Sequence, residues 1–131
     1  MSLAAMLALV VIPGSGPPPV PGDAALYWNI DDQLSNIEAR ADGEACSGGV
    51  HFPAALHRVV DLRYDLRRLE RYVSPDPNWA QLRAAARARQ EERVCVGYPD
   101  FRRLLRSASR DLSTLQQHAR RAGFHRRRQE D

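Results

Sequence analysis

The sequence predicts an all-α protein, an up-down-up-down four-helix bundle built of two αα-hairpins and closed by one disulfide at the hairpin bends. Three observations predict it. Apolar side chains recur at spacings of three and four in Phe52, Ala55, Val59, Leu62, Leu66, Leu69 and Val73, and again in Phe101, Leu105, Ala108, Leu112, Leu115, Ala119 and Ala122, which is the mark of a helix with one dry face. Strong helix breakers separate these stretches from their neighbours. Two cysteines, Cys46 and Cys95, each stand in a bend just ahead of one stretch. The run Phe52 to Val73 is expected to organise the rest, because its stripe is unbroken over about six turns and its other faces carry Arg58, Arg63, Arg67, Arg68, Arg71, Asp61, Asp65 and Glu70.

In chain order, Leu3 to Ile12 is an apolar run too short to span a bilayer but of the length of a signal-peptide h-region. Pro13 to Gly22 follows and offers Val20-Pro21-Gly22 as a small-residue cleavage site ahead of Asp23. Residues 1–22 are therefore expected to be a signal peptide or a disordered apolar, Pro-rich arm. Met1-Ser2 lacks the positive side chain of an n-region, so a cytoplasmic chain with such an arm is the alternative to export. The bundle domain is expected over residues 23–124.

Asp23 is placed to cap a first helix running to about Asp42, with Leu26, Ile30, Leu34, Ile37 and Ala41 as its stripe and Gly43 as its stop. The bend that follows holds Cys46 and Gly48-Gly49, and Pro53 fits the first turn of the second helix, where a missing N–H costs nothing. Ser74-Pro75-Asp76-Pro77 ends that helix. A third helix is expected to about Val96, with a thin apolar face of Trp79, Leu82, Ala85, Ala86, Ala88, Cys95 and Val96. Gly97 closes it, Pro99 and Asp100 open the fourth, and Gly123 ends that one in the C′ position. Residues 125–131 contain no apolar side chain and are expected to be a disordered Arg-rich tail.

In such a topology both cysteine-bearing bends lie at one end, so Cys46 and Cys95 are expected to be bonded, in keeping with an oxidising compartment. At 131 residues and 44 % hydrophobic composition the chain is long and apolar enough for one core. All nineteen basic residues are Arg, a bias that a GC-rich genome would produce and that also suits bidentate anion binding. The formal charge of +3 hides a gradient, from −5 over residues 23–50 (six acids against Arg40) to +5 over residues 99–131 (nine Arg against four acids). An acidic first helix beside a basic last helix is expected to absorb most of this asymmetry.

Several chemistries find no support. His51 and His57 do not share a helical face, and Gly123 separates His118 from His125, so no metal or other cofactor is expected. The adjacent pairs Asp31-Asp32 and Glu91-Glu92 diverge by about 100° on a helix, which does not make a shared-proton site. With no phosphate loop or nucleophile constellation either, the chain is read as non-enzymatic. The other end of the bundle is expected to gather Tyr27, Trp28, Tyr72, Trp79 and Phe124 beside Arg71, Arg120 and Arg121. Those side chains either plug the core or form a partner surface, since aromatic residues and Arg dominate interface hot spots.

The functional expectation is a periplasmic or secreted helical protein that binds an envelope protein or peptide. Its rival is a polyanion binder, taking nucleic acid or acidic lipid through the last helix and Arg126, Arg127 and Arg128. The Ala-rich third helix is a further candidate surface, for close packing, an apolar ligand or a homodimer.

Overall fold

The computed structural model describes residues 19–41, 53–91 and 98–124. Five helices, and no strand, are found among them: α1 (Asp23–Ala41), α2 (Pro53–Arg68), α3 (Glu70–Val73), α4 (Trp79–Glu91) and α5 (Tyr98–Arg121). Cys46, Cys95 and the Arg126 to Arg128 tail lie outside the described residues, as do the N-terminal apolar run and the expected ends of the first and third helices.

The expected second helix is divided at Leu69, whose φ of −91° and ψ of 0° tighten one turn. There the N–H of Leu69 bonds back three residues to Leu66 (2.9 Å) and that of Tyr72 to Leu69 (3.0 Å), the 3₁₀ pattern. The stripe survives the change, for Val59, Leu62, Leu66, Leu69 and Val73 are all buried and Tyr72 joins them. Downstream, Asp76 accepts the N–H of Asn78 on its side chain (2.7 Å) and the N–H of Trp79 on its carbonyl (3.0 Å). This Asx turn carries the chain through the two prolines and starts α4.

The C-terminus of α5 follows the expected chemistry. Gly123 has φ +86°, its N–H bonds to the carbonyl of Arg120 (3.0 Å), and the N–H of Phe124 bonds to that of Ala119 (2.9 Å). These are the paired bonds of a Schellman motif with Gly123 at C′.

Cross-helix contacts fix the directions. Tyr27 and Asp31 of α1 meet Arg67 and Arg63 of α2, and Asp23 and Gln33 meet His118 and Asp111 of α5, so α1 runs antiparallel to both. Trp28 and Asp32 meet Trp79 and Arg89, so α1 and α4 run parallel. The last turns of α1 and α4 therefore lie at the same end.

The expectation that Phe52 to Val73 organises the fold is corrected here. The helix in contact with every other is α1, most extensively with α5, while α4 rests chiefly on α1. Ala24, Tyr27, Ile30, Leu34 and Ile37 are fully buried, and Asp23, Asp31, Gln33 and Ser35 are buried too. A helix covered on nearly every side needs no clean apolar stripe, whereas α2 shows one because it keeps a wet face, with Val60 and Tyr64 62 % and 60 % exposed.

At Gly123 a Cβ would meet nothing within 4 Å, so only the left-handed backbone resists substitution. Gly123→Ala is expected to lower stability by about 1 kcal/mol, read as a fall in Tm of several degrees by circular dichroism with no loss of helix content at 25 °C.

Candidate functional site

The start of α1, the turn after α3 and the end of α5 converge, and the expected aromatics fall there in two groups. Tyr27 packs edge-on against Trp28 (centroids 5.0 Å, 79°) and against Trp79 (5.4 Å), and the two indoles lie 4.9 Å apart. Tyr72 meets Phe124 at 5.8 Å. Tyr27 and Tyr72 belong to the core, while Trp28, Trp79 and Phe124 are only partly buried against it. Arg71, Arg120 and Arg121 are exposed at the same end.

Between and beneath these rings is a polar network that periodicity alone did not reveal. Asp23 does not use its carboxylate as a helix cap; Gly22 (φ +91°) takes that position, its carbonyl accepting the N–H of Leu26 (2.9 Å). The Asp23 side chain, only 2 % of the residue being exposed, instead accepts from the hydroxyl of Tyr72 (2.7 Å) and from Nδ1 of His118 (2.9 Å). The backbone N–H of Val20 donates to the same Tyr72 oxygen (3.2 Å). Four chain segments are thereby tied at one point. Burial, against which the Val20 donor acts and with which the neighbouring Asp23 carboxylate concurs, pushes the Tyr72 phenol up to about 12.

Further along α1, the buried Asp31 carboxylate pairs with Arg63 and, at 3.5 Å, with Arg67. Arg63 also reaches Glu38 (2.9 Å) and Ser35 (3.4 Å), and Arg67 donates to the hydroxyl of Tyr27 (2.9 Å). Burial, chiefly, raises the Tyr27 phenol as well. Asp31 and Asp32 diverge as a helix requires, Asp31 toward α2 and Asp32 toward Arg89 of α4 (2.9 Å). His118 was readable from sequence only as a lone histidine, because its partner lies 95 residues away.

This allocation corrects the expected attraction between the acidic first helix and the basic last one. Asp31 and Glu38 of α1 are paired by α2, Asp32 by α4, and Asp23 is held by Tyr72 and His118. What α5 offers α1 is His118 and the acceptor Asp111, which takes a hydrogen bond from Gln33 (3.2 Å). Arg106, Arg110, Arg120 and Arg121 of α5 form no ion pair with any described residue.

Between α1 and α4 runs an open groove of ≈ 490 Å³, lined by Ala25, Leu26, Trp28, Leu82, Ala85 and Ala86 and ended by the Asp32–Arg89 pair. The thin apolar face expected for the third helix is its cause: Ala86 is the buried residue of α4, Trp79 and Leu82 are half-buried, and Ala85 and Ala88 are exposed. Trp28 Nε1 and Gln33 Oε1 are buried without a partner among the described residues. No cluster of three or more metal-ligating side chains and no helix long and apolar enough to cross a membrane occurs among the described residues. No protein-family model matches the chain, and neither a curated protein nor a solved structure matches it.

A phenol held above its ordinary value contributes stability that is complete below about pH 10 and lost as pH climbs through about 12. Tyr72→Phe leaves Asp23 short of a donor and is expected to cost about 1–3 kcal/mol near neutral pH. Urea titrations at pH 7, 10 and 12 check both, since the variant should also lose part of the alkaline decline seen in the parent.

Proposed function

We propose that the chain is a small non-enzymatic binding protein, exported to the periplasm or secreted after loss of its apolar N-terminal segment, that docks an envelope protein or a peptide from one. The observation that carries the reading is the α1/α4 groove with the half-buried Trp28 indole, backed by Trp79, at one end and the Asp32–Arg89 pair at the other. Its volume is that of a small-ligand or few-side-chain pocket. Rigid aromatic walls with a charged terminus are what a short apolar peptide segment needs to be held and oriented. A second copy of the chain, seated through α4, is the occupant that a concentration-dependent oligomer would reveal.

The reading includes the four-helix up-down-up-down bundle closed by a Cys46–Cys95 disulfide. Support comes from the parallel course of α1 and α4, which sets the last turns of both helices at one end. Closing roughly 48 intervening residues stabilises the fold by about 4 kcal/mol on the chain-entropy model. Thiol titration of native, unreduced protein is expected to find no free cysteine. Two reactive thiols would remove both the bridge and the main chemical argument for export.

A second reading, independent of compartment, is a polyanion binder acting through α5 and the Arg126 to Arg128 tail. It is favoured by Arg106, Arg110, Arg120 and Arg121 of α5, which are exposed and form no ion pair with a described residue.

The groove is tested by filling it. Ala85 is exposed, so Ala85→Arg blocks the groove with little cost to the fold, and it is expected to weaken partner capture at least tenfold while Tm moves by no more than a few degrees. Trp79→Ala removes an indole packed on Tyr27 and should lower stability and capture together, by about 1–3 kcal/mol in stability. Arg120→Ala with Arg121→Ala should spare capture at the groove. Partners identified from the native envelope that bind Ala85→Arg as they bind the parent chain would end the groove reading.

A further inference from the structure

We propose that the outer face of α5 is a docking surface for double-stranded DNA; the proposal rests on the second reading above and names its ligand. The buried residues Phe101, Ala108, Leu112, Leu115 and Ala119 define the core line of α5. At 3.6 residues per turn, Arg103, Arg106, Arg110 and Arg121 fall on the opposite line, with Arg102 and Arg120 beside it, and all six are exposed. Asp100, in the first turn of α5, is held by Arg103 (2.7 Å), and Asp111 turns to Gln33. The acids of α1 are occupied by α2, α4, Tyr72 and His118, and Arg106, Arg110, Arg120 and Arg121 have no ion-pair partner among the described residues.

The spacing selects the ligand. Arg102, Arg103, Arg106 and Arg110 form one group and Arg120 with Arg121 another, about 15 Å further along the helix at 1.5 Å per residue. Ser113, Thr114 and Gln117, all exposed, occupy the interval. The major groove of B-DNA is about 12 Å wide and admits an α-helix. Laid across it, α5 sets one arginine group on the phosphates of each strand and three hydrogen-bonding side chains over the base edges, while α1 and α2 remain behind it. Guanidinium groups suit this task because they grip phosphate oxygens in pairs.

The same face fits other polyanions poorly. It carries no apolar side chain to enter a bilayer and no aromatic ring on which unpaired bases could stack, since Phe124 is packed on Tyr72. The deep, narrow major groove of an RNA duplex does not admit a helix.

The test uses the full chain and fluorescence anisotropy with a 24-base-pair DNA duplex, the matching single strand, heparin and vesicles of anionic phospholipid, over a range of salt. The duplex is expected to bind most tightly, with log K falling linearly in log salt at about 0.9 per phosphate contact. Arg106→Ala with Arg110→Ala is expected to weaken duplex binding at least tenfold and to flatten the slope by about 2, with an unchanged thermal melt. Arg83→Ala with Arg87→Ala, on the exposed side of α4, should leave both values as they were. Heparin or vesicle binding without preference for the duplex would overturn the DNA assignment and leave the polyanion reading standing. Failure to bind any of the four would overturn both, and equal duplex affinity in the Arg106/Arg110 variant would remove α5 as the surface.

Discussion

Everything in this fold depends on burying α1, a helix that carries four acidic side chains into contact with its neighbours. Asp31 is 2 % exposed, and an unpaired carboxylate in such a place would cost several kcal/mol. Arg63 and Arg67, one turn apart on α2, meet it, and each keeps a second partner, Glu38 for the first and Tyr27 for the second. The pairing fixes both the rotation of α2 about its axis and its height along α1. Coulomb attraction here supplies register, while the apolar contacts of Ile30, Leu34, Val59, Leu62 and Leu66 supply most of the favourable free energy.

The allocation of charge has a second effect. A set of acids neutralised by α2 and α4 leaves α5 free to be basic on its wet side without drawing its arginines inward. Its inward side can then meet α1 through small and apolar residues, Ala108, Leu112, Leu115 and Ala119, which allow the most extensive of the helix contacts. Along that contact stand His118 with Asp23 and Asp111 with Gln33. Polar clasps at these points limit sliding along an otherwise smooth seam.

Much of the helical layout was legible in the residues because local chemistry decides it. Period-3.6 patterning located α2 and α5, Pro75 and Pro77 forced the turn, and Gly123 marked the end of α5, each for a reason contained within a few residues. The identity of the central helix was not legible, since a strong stripe reports one wet face and therefore points away from a helix enclosed on nearly every side. Nor were the partners of Asp23, Asp31 and His118, which follow from helix rotation and lie 32 to 95 residues distant. The charge gradient was visible in the sequence, but its use was not, because pairing depends on which faces meet and not on net sums. Of the candidate surface, the convergence of Tyr27, Trp28, Tyr72, Trp79 and Phe124 followed from topology alone. Which of these rings stay partly open required the packing.

The one-sided seat of α4 has a consequence for motion. A helix of 13 residues that buries chiefly Ala86 and rests mainly on a single neighbour forms the least costly unit of the fold to open, a separate foldon in the language of hydrogen exchange. Its amides are set to exchange by sub-global opening at a free energy well below that of α1 and α5, which share the core. The groove wall is thus the part of the molecule that breathes first. An occupant spanning α1 and α4 would slow that opening in proportion to its own affinity and concentration, so the mobility of α4 is a built-in reporter of whatever the groove holds.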